Sequence, residues 1–207
     1  MALEDKGNVE QSILDAAEHE FLTKGYAGAK TTEIAGRAGV THAMLHYYYR
    51  TKENLFSVFV DRKLEELKSI VLMGFDAEGM TFTEKIRRAM EMHFDFLVQH
   101  PGLPRFVLNE IMPKPALFKE LKNKINGLMD KSMLTMLAAE LSSAIERGEV
   151  SSISIYDLIL DIVSVNIMTF IALPTVKVIL GGEMAESAYL EARRRENVEL
   201  IMRRLAR

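Results

Sequence analysis

The chain has 207 residues, 27% charged and 48% apolar, with a formal net charge of −3 and no cysteine. That length allows one large core or two smaller ones, and the composition is ordinary for a globular protein. Without cysteine there is no disulfide framework and no thiolate metal site.

Apolar residues recur at three- and four-residue spacing, with no bounded alternating runs joined by hairpin turns, so the expected fold class is all-α. A first helix spans about Val9 to Thr23. Residues 31–56, TTEIAGRAGVTHAMLHYYYRTKENLF, read as a short helix, a tight turn, a second short helix and the start of a third. Ile34, Ala35 and Ala38 on the first, Val40 in the turn, and Leu45 and Tyr48 on the second fall where two crossed helices touch. Gly39 stands where the chain reverses, and glycine enters the left-handed region without steric cost. Thr31 and Thr41 are the expected caps, each hydroxyl meeting backbone N–H groups that lack a partner inside the helix. This is the outline of a DNA-binding helix-turn-helix, whose second helix enters the major groove.

A long helix follows from Lys52 towards Met73, with Gly74 and Gly79 bracketing its loop. Next come a helix from Thr83, an expected cap, to His100, stopped by Pro101, and a short one over Leu103–Ile111, ended by Pro113. Helices over Ala116–Arg147, Ile155–Leu180 and Glu183–Leu205 complete the chain, with Gly148 and the pair Gly181-Gly182 as stops. The helix over 155–180 is apolar on nearly every side, which requires burial all round. One face can meet its own core and the other a second copy, giving a homodimer. A central helix in a monomeric core is the alternative.

Met90, Phe94 and Leu97 form one apolar stripe, and Met129, Met133 and Met136 another. With Asn166 and Phe170, the residues Met90, Phe94, Leu97, Met129 and Met133 are candidates to line an adaptable ligand pocket, although such stripes are more often plain core. Asp95, Glu110 and Asp161 lie near apolar neighbours and could hold a ligand's polar group, which suits a cationic or neutral effector.

Residues 24–63 hold seven basic residues (Lys24, Lys30, Arg37, Arg50, Lys52, Arg62, Lys63) and three acidic ones (Glu33, Glu53, Asp61), a local charge of +4. Acids crowd the first helix instead. Phosphate attraction acts within a Debye length of ~10 Å, so a basic face can coexist with an acidic whole. His42 and His46 are four apart on one helical face, a metal-binding spacing. HAMLH lacks the glutamate of a zinc-protease motif and no third ligand is evident, so DNA contact is the favoured reading. No Ser-His-Asp set, phosphate loop or supported carboxylate pair points to an enzyme, and no cofactor is expected. The opening MALEDKGN is polar, and no uninterrupted apolar run reaches the ~18 residues that span a bilayer, so a cytoplasmic protein without membrane contact is expected.

Residues 9–56 resemble the N-terminal domain of TetR-type transcriptional regulators. ILDAAEHEFLTKGY carries the family's Phe21, Lys24, Gly25 and Tyr26. Thr32, Ile34, Ala35, Ala38, Gly39 and Val40 match its next element, and Leu45, Tyr48, Lys52, Glu53 and Leu55 the last. His46 stands where the family has tyrosine, and Tyr49 where it has phenylalanine. The resemblance implies a head over residues 1–56 and a helical ligand-binding and dimerisation domain over 57–207. It implies a repressor bound to double-stranded DNA at an inverted repeat and released by a small-molecule effector. Thr31, Thr32, Tyr48 and Lys52 would then hold phosphates, and Thr41, His42, Ala43, Met44, His46 and Tyr47 would face bases. A helical small-molecule-binding or interaction protein without specific DNA recognition is the alternative.

Overall fold

The computed structural model describes residues 2–76, 79–128, 131–179 and 185–206. The described residues form helices and no strand: α1 (Ala2–Gly28), α2 (Thr31–Arg37), α3 (His42–Tyr49), α4 (Lys52–Phe75), α5 (Phe82–Gln99), α6 (Leu103–Phe106), α7 (Pro115–Leu128), α8 (Lys131–Glu146), α9 (Ile155–Ile179) and α10 (Glu186–Leu205). A π turn, Val107–Ile111, continues α6. The chain divides into two compact units, Met1–Glu65 with Arg105–Lys124, and Glu66–Pro104 with Ile125–Arg207. The division therefore falls inside α4, and α6, its π turn and most of α7 belong mainly with the N-terminal segment.

The first unit is built on aromatic packing. Phe21 of α1 meets Phe56 of α4 edge-on at 5.2 Å, and Phe56 lies 6.1 Å from Phe106 of α6. Ile13, Ala17, Ile34, Leu45 and Leu55 are buried around them. The first helix is longer than its apolar spacing predicts, and its regular geometry breaks at Gly25 (φ 71°, ψ 170°). Any side chain is strained there, and a Cβ would stand 2.7 Å from Glu110 Cδ.

The second unit holds two apolar clusters. Phe82, Ile86 and Met90 of α5 pack with Leu141 and Ala144 of α8, Leu158 of α9, and Val198, Ile201 and Leu205 of α10. Phe94, Phe96 and Leu97 pack with Phe170, Leu173 and Leu190. The cap of α5 is Thr81 rather than Thr83. Thr81 Oγ1 accepts from the Glu84 N–H at 3.3 Å, and the Glu84 carboxylate accepts from the Thr81 N–H at 2.8 Å. The Thr-x-x-Glu spacing gives this reciprocal capping box and decides the start. Gly74 lies inside α4 rather than in its loop. A Cβ there would come within 2.8 Å of Ala89 Cβ, so its lack of a side chain permits the close approach to α5. The expected helix over 116–147 is described as α7 up to Leu128 and as α8 from Lys131, and residues 129–130 between them lie outside the described residues. The expected stop at Gly181-Gly182 lies outside the described residues.

Helix α9 is apolar all round but not buried all round. Leu158, Phe170 and Leu173 face the core. Tyr156, Leu160, Ser164 and Met168, at four-residue spacing, are exposed, with Leu160 63% and Met168 58% accessible. Among the described residues α9 alone is long and apolar enough to cross a bilayer. Its buried Asn166 bonds to the Met90 carbonyl on α5, and Thr169 accepts from Asn197 on α10, so its polar groups are satisfied inside a helical bundle.

Candidate nucleic-acid interface

Helix α3 is held by its ends and by two side chains. Thr41 Oγ1 accepts from the Met44 N–H at 3.1 Å and caps the helix, as its sequence position predicts. Leu45 and Tyr49 are buried, 2% exposed each. The Tyr49 hydroxyl donates to the Glu10 carbonyl at 3.4 Å, and burial pushes its phenol pKa well up. The turn before α3 closes on Gly39 (φ 69°), with the Val40 N–H donating to Ala35 O at 3.0 Å.

What remains of α3 faces outward. His42, Ala43, Met44, His46 and Tyr47 are exposed, Tyr47 to 72%. Tyr48 is half-buried, its ring 5.6 Å from Tyr47 and 6.4 Å from Tyr49. The contact residue on the inner face is Tyr49, and Tyr48 lies at the edge. The three tyrosines point three ways, as consecutive helical residues must.

Thr31 does not cap α2. Lys30 occupies the cap position and makes no side-chain capping bond. Thr31 Oγ1 instead stands 3.0 Å from His42 Nε2, tying the start of α2 to the start of α3. Thr32 is exposed beside it. Thr51 caps α4, accepting from the Asn54 N–H at 3.1 Å, and the Asn54 amide donates to Tyr49 O at 3.0 Å. These bonds hold the corner at Arg50, the one non-glycine residue among those described with a left-handed backbone (φ 59°).

Lys30, Thr31, Thr32, His42, His46, Arg50, Thr51 and Lys52 line one concavity of about 400 Å³. Its walls offer ammonium, guanidinium, hydroxyl and imidazole groups and no carboxylate, a donor set that fits phosphate oxygens.

Ion pairs change the charge count. Lys24 pairs with Glu20 at 2.6 Å and Glu33 at 2.7 Å, and Arg37 with Glu20 at 3.3 Å. Lys24, with help from Arg37, holds the Glu20 carboxyl below the usual carboxylate range against the effect of burial. Arg62 meets Asp15 and Lys63 meets Glu18, each at 2.8 Å. The acids of α1 thus neutralise most of the basic excess in residues 24–63. Lys30 lies 3.7 Å from Glu33. Among the described residues, Arg50 and Lys52 have no ion-pair partner. Arg50 is absent from the sequence-derived contact set. The one available signal was its position, a basic residue closing the second helix.

The residues expected to line a ligand pocket are mostly packed, and Phe94 also lines a concavity of about 520 Å³ with Asp95, Val98, Leu190 and Arg194. Met90, Phe94, Leu97, Met133 and Phe170 are buried, with the Phe94 and Phe170 rings 5.3 Å apart. Asn166 is buried and hydrogen-bonded. Met129 lies outside the described residues. Two of the three acids that favoured a cationic ligand, Asp95 and Glu110, are paired with the protein's own cations. Both Asp95 oxygens accept from Arg194 at 2.9 Å, and Glu110 meets Lys114 at 2.8 Å.

Residues 13–58 match the family of bacterial regulatory proteins called tetR, and residues 83–201 match the tetracyclin repressor-like C-terminal domain. The fatty acid metabolism regulator protein of Bacillus subtilis is 27% identical over 146 residues, spanning 67% of this chain and 69% of that one. The HTH-type transcriptional regulator EthR of Mycolicibacterium smegmatis is 28% identical over 143 residues, spanning 67% and 62%. Among solved structures, the Bacillus subtilis transcriptional regulator FadR in complex with stearoyl-CoA aligns at a TM-score of 0.68 with 23% identity, covering 94% of this chain and 98% of that one.

Proposed function

The chain belongs to the tetR family of bacterial regulatory proteins and is a DNA-binding transcriptional regulator, and from that premise we propose that it is a cytoplasmic homodimeric repressor, released from an inverted-repeat operator by a largely apolar small molecule. The observation that carries the reading is the exposed outer face of α3 beside a carboxylate-free concavity holding Arg50 and Lys52. Thr31, Thr32, Tyr48, Arg50 and Lys52 hold phosphates. Thr41, His42, Ala43, Met44, His46 and Tyr47 face base edges; small Ala43 lets the helix approach, and Met44 meets a thymine methyl. The exposed apolar stripe of α9 serves as the dimer face, and the dimer it makes carries two heads that read successive major grooves, ~34–36 Å apart. Exposed Leu160 and Met168 in a family of regulators support it.

An apolar effector is supported by the apolar lining (Phe94, Val98, Leu190) of a concavity of about 520 Å³ in the second unit and by a relative named for fatty acid metabolism. A ligand preferring one conformation of the second unit shifts the dimer away from the DNA-competent state, and by linkage DNA weakens the ligand equally. The test is recovery of genomic fragments with the purified full chain, followed by footprinting. An inverted repeat protected on both halves is expected, with release by a long-chain acyl thioester as the first effector tried. Uniform retention of all fragments at physiological salt counts against a specific regulator.

A further inference from the structure

Tyr26 joins three chain segments of the first unit. Its backbone N–H donates to Glu110 Oε2 at 3.2 Å, beside the break at Gly25, and the same carboxylate meets Lys114 Nζ at 2.8 Å. Its hydroxyl donates to Glu53 Oε1 at 3.1 Å. Its ring packs edge-on against Phe56 at 4.8 Å, and Lys52 Nζ lies over that ring, 4.8 Å from the centroid. Lys52 Nζ also reaches the Ala27 carbonyl at 3.4 Å.

The lysine is thus held by a ring face and a carbonyl oxygen, both from the end of α1. A ring face attracts a cation through its quadrupole without cancelling its charge. A carboxylate partner would cancel it. The Tyr26 hydroxyl donates to Glu53, the acidic neighbour of Lys52, and among the described residues no carboxylate lies within ion-pair distance of the ammonium. A lysine side chain otherwise samples many rotamers, and ordering it before docking removes that entropy cost from binding.

We propose that Tyr26 is a positioning residue for phosphate binding: its ring holds Lys52 at the mouth of the α2–α3 concavity, and Glu110, on the π turn, holds the Tyr26 backbone that presents the ring. The role rests on the reading of Lys52 as a phosphate contact. It also gives Gly25 a function. The glycine leaves the space in which Glu110 can reach the Tyr26 N–H, since a Cβ there would fall 2.8 Å from Glu110 Oε2.

The test uses the full chain and a random-sequence duplex of about 30 base pairs, titrated across salt. The Lys52 ε-methylene signals are followed in parallel by NMR. In the wild type those signals stand upfield through the ring current. Tyr26→Phe keeps the shift and most of the affinity. Tyr26→Leu loses the shift, weakens binding about tenfold and lowers the salt slope by about one. Tyr26→Leu combined with Lys52→Ala binds no worse than Lys52→Ala alone. Glu110→Ala reproduces part of the Tyr26→Leu loss. Wild-type affinity in Tyr26→Leu, or losses that multiply in the double variant, overturns the role while leaving DNA binding intact. If Tyr26→Leu does not fold, the wild-type spectrum decides, and Lys52 signals at their random-coil position overturn the role. A wild type without affinity for any duplex overturns the phosphate reading as well.

Discussion

The Asn166 amide of α9 donates to His93 Nδ1 of α5 across 3.2 Å, and the direction of that bond is set from α10. Arg193 can only donate, and its Nη2 gives a 2.6 Å bond to Asn197 Oδ1. The Asn197 amide therefore donates to Asn166 Oδ1 at 3.1 Å. The Asn166 nitrogen is left to donate to the Met90 carbonyl at 3.1 Å and to His93. His93 must accept at Nδ1 and carry its proton on Nε2, so protonating Nδ1 would set two donors against each other.

That arrangement has a pH consequence. Burial lowers the His93 pKa from 6.5 to about 4. The unfolded chain takes up the proton first as pH falls. Stability is whole above about pH 6.5 and declines towards pH 4, with about 3 kcal/mol at stake. Urea unfolding of the wild type and of His93→Gln between pH 7 and 4.5 is the check. The variant loses less stability over that range, and identical slopes would remove His93 as the source.

Arg50→Ala and Lys52→Ala are expected to weaken binding to every duplex about equally, each lowering the salt slope by about one. Met44→Ala and Tyr47→Ala act differently. They change which sequences are preferred, by about 1–3 kcal/mol at the affected base pairs. Competition assays with a library of single-base operator variants separate the two effects.

The exposed stripe of α9 sets the choice of assembly variants. Ile162 and Ile167 pack partly against the two clusters of the second unit, so a charge there threatens the fold itself. Leu160 and Met168 are the cleaner probes. Leu160→Glu or Met168→Glu should raise the dimer dissociation constant about tenfold or more and keep a cooperative melt. Sedimentation at micromolar concentration reads this directly, and a monomeric wild type would sink the two-headed mechanism.

Gly25→Ala should cost about 1–3 kcal/mol from its positive-φ extended backbone alone (φ 71°, ψ 170°), which is essentially glycine-only, and more from the Glu110 contact. Gly25→Ala combined with Glu110→Ala should recover the second part and not the first. Thermal melts of the three variants distinguish them.

Much of this was legible in the sequence because local rules govern it. Thr41 before an apolar run and Gly39 at a reversal act over a few residues, and both do what their positions predict. Tertiary partners account for the rest. No window of sequence places Glu110 against Gly25, 85 positions away, or links Thr31 to His42 instead of to its own helix. The local charge of +4 was arithmetically right and physically misleading, because its balancing acids sit on α1. The cap of α5 lies two residues before Thr83, because the Glu84 carboxylate completes a capping box with Thr81 and none with Thr83.

Those acids on α1 also bear on how the protein finds its site in a genome. Each phosphate neutralised strengthens attraction to all DNA alike, and that attraction keeps a regulator bound to irrelevant sequence. With Lys24, Arg37, Arg62 and Lys63 already balanced inside the head, a dimer gains little from arbitrary duplex. The expected consequence is fast release from wrong sites, so that fewer copies are held by the bulk chromosome and a smaller pool suffices to keep an operator occupied.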